Sequence, residues 1–217
     1  MDLYTAMRCA PTSRRFTADP VADEALHRAL DAARFAPSGG NRQGWRVVVV
    51  RDRERRAALR DLYLPGWRAY LERTGGARVL ADPDAFDAAT VRRVHRANDY
   101  AQGLADVPVH VVVGVRLEDL AVTDAQLPRQ SIVGGASVYP FVQNLLLALR
   151  AEGLGAALTT LLVPAEAEVR RLLEIPEGVA LAAHVGVGRR ADPWPDRLSR
   201  RPVEEFAFSE RWGDPLR

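Results

Sequence analysis

The stretch Ala36-Pro37-Ser38-Gly39-Gly40-Asn41-Arg42-Gln43-Gly44-Trp45 stands between a helical pattern that ends at Phe35 and the run Arg46-Val47-Val48-Val49-Val50. Pro37 and the glycine pair forbid continuation of the helix. Trp45 to Val50 is aromatic and β-branched, the composition of a buried strand. The chain therefore has to turn from helix to sheet through a short loop carrying free backbone N–H groups, a hydroxyl and two side-chain amides. Its glycines lack a Cβ and let the backbone approach a flat polar ligand closely. An ordinary helix-to-strand connection has the same local signature, so the rest of the chain must decide.

A length of 217 residues favours one compact domain, 1–217, with enough chain to bury a core. Charge is nearly balanced, with Lys+Arg 30 against Asp+Glu 28 and a net +2. No lysine occurs, so every one of those cations is arginine. P-loop and Schiff-base chemistry both need a lysine and are excluded. The balance argues against a dedicated nucleic-acid binder in spite of a pI near 9.0. A single cysteine, Cys9, excludes an intrachain disulfide framework and points to a reducing, cytoplasmic setting. The N-terminus has no basic-then-apolar signal region, and no apolar run reaches the ~18 residues of a membrane span.

Along the chain, Asp2 to Arg8 predicts a short helix, and Val21 to Phe35 an amphipathic one. Arg53 to Leu62, continuing towards Tyr70, repeats Arg and Ala at helical period, with Arg56 expected on an exposed face. Gly75-Gly76 and Pro83 mark a mobile, exposed joint, followed by a charged helix over Phe86 to Leu104. Val107 to Val115 is a second buried strand. Ser131 is expected to cap the longest apolar helix, Ile132 to Arg150, which belongs in a core or a subunit interface. Strand Ala156 to Leu162, a helix from Pro164 to Leu173 and strand Val179 to Val187 follow. The Arg-, Pro- and Trp-rich tail from Gly188 to Arg217 has too few periodic apolar residues for a layer of its own. Few strands separated by helices indicate α+β or α/β with one sheet.

Several chemistries fail on their spacing. Gly186-Val187-Gly188-Arg189-Arg190-Ala191 matches G-x-G-x-x-A, but Asp192-Pro193-Trp194-Pro195 follows, and no helix can run through it to meet a pyrophosphate. His27, His95, His110 and His184 share no metal-ligand spacing; His110 and His184 fall in strands and read as core or interface residues. A G-x-S-x-G elbow is absent. Thr12, Ser13 and Arg14 combine two hydroxyls with a guanidinium, a suitable set for a phosphate monoester, and Arg197, Arg200 and Arg201 offer more from the far end of the chain. Thr159-Thr160 at a strand end can donate to a heteroaromatic edge.

Taken in order, these pieces resemble the nitroreductase family of FMN-dependent oxidoreductases. Ser13-Arg14-Arg15-Phe16-Thr17-Ala18-Asp19-Pro20-Val21 is similar to that family's N-terminal phosphate-and-ribityl segment. The 36–45 loop resembles A-P-S-x-x-N-x-Q-P-W, and Tyr139 to Ala148 resembles the central dimer helix. Gly153 through Thr160 is similar to the segment facing the flavin ring, and Arg200-Arg201-Pro202-Val203 to the C-terminal R-x-P arm. The resemblance implies an α+β fold: a central mixed, largely antiparallel sheet flanked by helices in an intertwined homodimer with two FMN sites. It implies Thr12 and Arg14, with Arg200, around the ribityl phosphate, Ser13 being part of that segment. It places Thr160 and the Leu161 N–H, beside Thr159, at the ring near N5 and O4. Pro37, Ser38 and Asn41, with Gly39 and Gln43 of the same loop, would come from the other subunit. NADH or NADPH would reduce FMN, and a small acceptor would reoxidise it by a ping-pong route. A flavin-fragmenting relative and a flavin-storage protein are the alternatives. The chain departs from the family pattern at Ala10-Pro11, where Arg8 is the nearest substitute for a missing arginine. Ala101 and Leu104 fall where ring-contacting polar residues are expected. Gly44 stands for the usual proline and is expected to loosen the loop.

Overall fold

The computed structural model describes residues 1–216; Arg217, the last residue of the tail, lies outside the described residues. The strands are β1 (Trp45–Val50), β2 (Val109–Arg116), β3 (Leu154–Thr159) and β4 (Val179–Arg189). They form a four-stranded sheet in the order β1-β2-β4-β3, and every strand pair is antiparallel. The parallel element is an isolated bridge from Thr12 to Ala156, which makes the sheet mixed only at its β3 edge.

Helices cover both faces of the sheet, which is why β2 is buried from Val109 through Val115, His110 included. Its odd-numbered residues Val109, Val111, Val113 and Val115 pack with α2 (Asp23–Ala33) and α6 (Tyr139–Ala151). There Leu26, Ala29, Phe141, Leu145 and Leu149 are buried, and Trp45 stacks on Phe141 at 5.0 Å. Val112 faces the other layer, formed by α3 (Arg53–Thr74), α5 (Ala88–Gln102) and α7 (Glu166–Leu173). Leu59, Tyr63, Trp67 and Leu71 of α3 recur every four residues and supply its apolar stripe. Asp52 accepts from the Arg55 N–H and Asp87 from those of Ala89 and Thr90, so α3 and α5 both start on a carboxylate cap. The first helix, α1 (Leu3–Cys9), is capped likewise by Asp2. Among the described residues no helix is long and apolar enough to cross a membrane.

Five expectations need correction. The apolar segment from Ile132 is not helical throughout: Val133–Ser137 is a 3-10 turn, and α6 begins only at Tyr139, with Pro140 in its first turn. Ser131 caps nothing there, because its hydroxyl donates to Asp124 at 2.7 Å. Gly75-Gly76 is no loose joint either. Gly75, at φ 77°, ends α3, and Gly76–Ala81 forms α4, with Gly76 and Val79 buried. Strand β3 stops at Thr159 rather than Leu162. Arg56, expected on an exposed face, is half-buried: its Nη1 donates to Ala105 O at 2.9 Å and Val107 O at 2.8 Å, and its Nε to Arg51 O at 3.1 Å.

Candidate functional site

The 36–45 loop is held from within. Ser38 Oγ accepts from the Gln43 N–H at 3.0 Å, and the Gly39 N–H donates to Ser137 Oγ at 3.1 Å, just ahead of α6. Gly40, Asn41 and Gln43 have φ of 60°, 53° and 50°. For the two non-glycines that conformation costs on the order of 1 kcal/mol each, so the surrounding contacts must hold it. The Gln43 amide donates to Asn41 Oδ1 at 3.1 Å. Gly44 packs closely against Asp119. A Cβ there would lie 2.6 Å from the Asp119 Cβ, so the glycine admits that close approach. Asp119 is fixed in turn by Arg116, 2.6 Å away, whose hydrogen bond holds the carboxyl below the usual range. Pro37, Gly39, Asn41 and Gln43 remain exposed, with Ser38 half-buried.

The N-terminal segment docks on the opposite sheet edge. Thr12 pairs with Ala156, and the Ser13 N–H donates to Ala156 O at 2.8 Å. Ser13 is fully buried, and its hydroxyl accepts from Arg190 Nη1 at 3.1 Å, so it anchors the segment and is not free for a ligand. Thr12 and Arg200 line one cavity of about 300 Å³ with Gln143, Leu147 and Arg150 of α6. Arg200 also lines a shallower hollow with Arg8, Arg197 and Arg201. The Leu198 N–H donates to Arg8 O at 2.8 Å, tying the C-terminal arm to α1. Arg8 thus lines the same hollow as Arg197, Arg200 and Arg201. Arg14 does not: it lines two other cavities, one along α5 and one among α3, α4 and α5. Arg14 and Arg200, which the resemblance groups around one phosphate, thus line different cavities of one chain.

At the end of β3 the Thr159 hydroxyl accepts from the Leu161 N–H at 3.2 Å, while Thr160 is exposed. The Leu161 N–H is committed to Thr159 in this state and must exchange that partner to reach a ring. A Cβ on Gly66 would lie 2.9 Å from Leu161 O, so this glycine lets α3 press directly on the segment. Beneath lies Tyr63, whose phenol is pushed up by burial against the opposing effects of Thr159 and Arg14. His184, across the ladder from Thr159, meets the Tyr63 ring edge-on at 6.4 Å. Its Nε2 lies 2.6 Å from His110 Nδ1, one nitrogen donating and the other accepting. Burial pushes His110 down to about 4 and His184 well below the imidazole range, so the pair is neutral at pH 7. Both are core residues, as their strand positions predict. Ala101 and Leu104 are fully buried in the core.

The exposed loop and the Thr12–Arg200 cavity lie apart in one chain. Gly39 meets Ser137 just ahead of α6, whereas the cavity runs along that helix from Gln143 to Arg150. A helix of 13 residues spans about 20 Å. Trp45 also heads the edge strand β1 while Thr159 ends the opposite edge strand β3, about 14 Å away across the sheet. The aromatic group Tyr63, Trp67 and Tyr70 escaped the sequence reading, although its i, i+4, i+7 spacing is visible there.

A model of the family described as "Nitroreductase family" matches residues 11–189. A 5,6-dimethylbenzimidazole synthase of Rhodospirillum rubrum is 30% identical over 199 residues, 87% of this chain and 85% of the relative. An NADH dehydrogenase of Thermus thermophilus is 32% identical over 197 residues, 88% of each. Among solved structures, the FMN- and NADPH-dependent nitroreductase NfnB of Sphingopyxis sp. strain HMH superposes with a TM-score of 0.70 at 20% identity, over 98% of this chain and 100% of that one. Iodotyrosine deiodinase bound to FMN and 3-iodo-L-tyrosine gives 0.69 at 24% identity, over 93% and 96%. With a family model matching most of its length and relatives similar nearly end to end, the chain belongs to the nitroreductase family.

Proposed function

We propose that this chain is an FMN-dependent oxidoreductase that takes electrons from NADH or NADPH and passes them, by a ping-pong route, to a small aromatic or quinone-like acceptor. The observation that carries the proposal is the division of its candidate site. The loop and the Thr12–Arg200 cavity each present unspent polar groups, the loop just ahead of α6 and the cavity along that helix from Gln143 to Arg150. A homodimer with two α6 helices antiparallel about a twofold axis brings the loop of one subunit to the cavity of the other. Exposed apolar residues on the same flank, Leu3 at 58%, Tyr4 at 69% and Met7 at 50% exposure, need such a cover.

The donor set fits FMN. Thr12 and Arg200, supported by Arg8 and Arg197, would hold the phosphate through charge-assisted hydrogen bonds. Thr160 and the Leu161 N–H would address one edge of the ring, while Pro37, Ser38 and Asn41 of the partner loop, flanked by Gly39 and Gln43, close over it. Arg14, in different cavities from Arg200 and beside Tyr63, is left to the ring side, where its fixed charge favours extra negative charge. When bound, FMN supplies the hydride and electron transfer, so the protein contributes orientation and electrostatics.

A second reading has a specific source. The Rhodospirillum relative is named for a product whose dimethylbenzene ring also occurs in the isoalloxazine, which favours fragmentation of reduced flavin by oxygen as the alternative. Aerobic incubation of FMN-loaded protein with NADH and with NADPH separates the two. Donor consumption with intact flavin, followed by chromatography, is expected. Loss of flavin to a benzimidazole would replace the reductase reading, and no oxidation of either donor would contradict both.

A further inference from the structure

The cavity enclosed by α3, α4 and α5 combines three aromatic side chains with three arginines in its wall. Its volume is about 530 Å³, in the range that holds a molecule of one or two rings. Trp67, Tyr70 and Phe86 line it together with Arg14, Arg78 and Arg93, and no carboxylate does. The cavity along α5 also has several arginines, but Asp99 and Asp106 share its wall. Among the described residues, Arg14, Arg78 and Arg93 have no carboxylate partner within ion-pair distance. The nearby Asp87 is committed to capping α5. The aromatic wall is preset: Trp67 stacks on Tyr70 at 5.6 Å, and its Nε1 donates to Asn98 Oδ1 at 3.0 Å.

We infer that this cavity binds an aromatic carboxylate, its ring against Trp67, Tyr70 and Phe86 and its anionic group among the three guanidinium groups. Flat π-faces suit an aryl ring, and guanidinium forks suit a carboxylate. Arg14 belongs to both this cavity and the proposed flavin site, so the inference deepens the proposed function by placing an anionic aromatic acceptor beside the cofactor. It rests on that reading only for the ligand's role as acceptor.

Calorimetric titration with 4-nitrobenzoate and its neutral near-isostere 4-nitrobenzamide tests the inference, using FMN-loaded protein without an electron donor and, separately, flavin-free protein. The acid is expected to bind about tenfold more tightly than the amide in both forms. Arg78→Gln and Arg93→Gln should each reduce that preference severalfold, while Arg78→Lys and Arg93→Lys, which keep the charge, should largely retain it. Equal affinities for acid and amide would overturn the inference, as would a preference untouched by either glutamine variant. A preference seen only without flavin would assign the cavity to the cofactor and overturn it too. Failure to take up FMN would count against the proposed function alone, since the flavin-free titration still reads the cavity.

Discussion

Protein carrying Arg200→Glu in both chains, and protein carrying Asn41→Trp in both, should each be nearly inactive, and co-expression of the two should restore about a quarter of parental activity per chain. The glutamate places a negative charge where a phosphate is to bind, and the indole fills the space the loop leaves for the ring. Arg200 and Asn41 serve the same flavin from different subunits if the loop and the cavity are brought together only by a partner. In a mixed dimer one site then collects both lesions and the other none. Random pairing makes about half of the dimers mixed, and half of their sites intact, hence about a quarter of all sites. If both residues came from one chain, every site of the mixed dimer would stay damaged. Absence of recovery in a preparation shown to contain mixed dimers would exclude the shared site.

Arg56→Ala should destabilise the protein by about 3 kcal/mol, read as a lower denaturant midpoint at unchanged slope. The guanidinium donates to Arg51 O, Ala105 O and Val107 O and so clamps the start of α3 to the turn that leads into β2. Alanine leaves those carbonyls without their charged donor. Arg171→Ala is the comparison: Arg171 is exposed on α7 and pairs with Glu168 at 3.3 Å, a surface pair whose loss should change stability by no more than about 0.5 kcal/mol. Equal midpoints for the two variants would show that the clamp contributes nothing.

Arg56 also shows where sequence reading stops. Its helix was legible from period alone, but its hydrogen bonds reach residues about fifty positions away, and no local pattern encodes them. Ser13 is similar: a hydroxyl beside an arginine suggests a phosphate, yet its partner is Arg190, 177 positions on. By contrast β1 and β2 were readable because each carries consecutive valines, 47–50 and 111–113, although only β2 is buried on both faces. The start of α6 was misplaced because Ile132-Val133 continues the apolar pattern. The helix is delayed by Gly134-Gly135 and by Asp124, which accepts from the Ile132 N–H and the Ser131 hydroxyl. Those bonds hold the Asp124 carboxyl well below its usual range. That Arg14 and Arg200 line different cavities was not legible, because it depends on how the tail returns across α1.

FMN is the proposed cofactor, with Arg200 at its phosphate. Protein incubated with an equal mixture of FMN and FAD, washed free of unbound flavin and then denatured, should release FMN, identified by mass. The same protein carrying Arg200→Ala should bind FMN about ten- to hundredfold more weakly in a direct titration, the loss expected for one charge-assisted contact of about 1.5–3 kcal/mol. Release of FAD instead, release of no flavin even after excess FMN, or parental affinity in the Arg200→Ala protein would contradict the account.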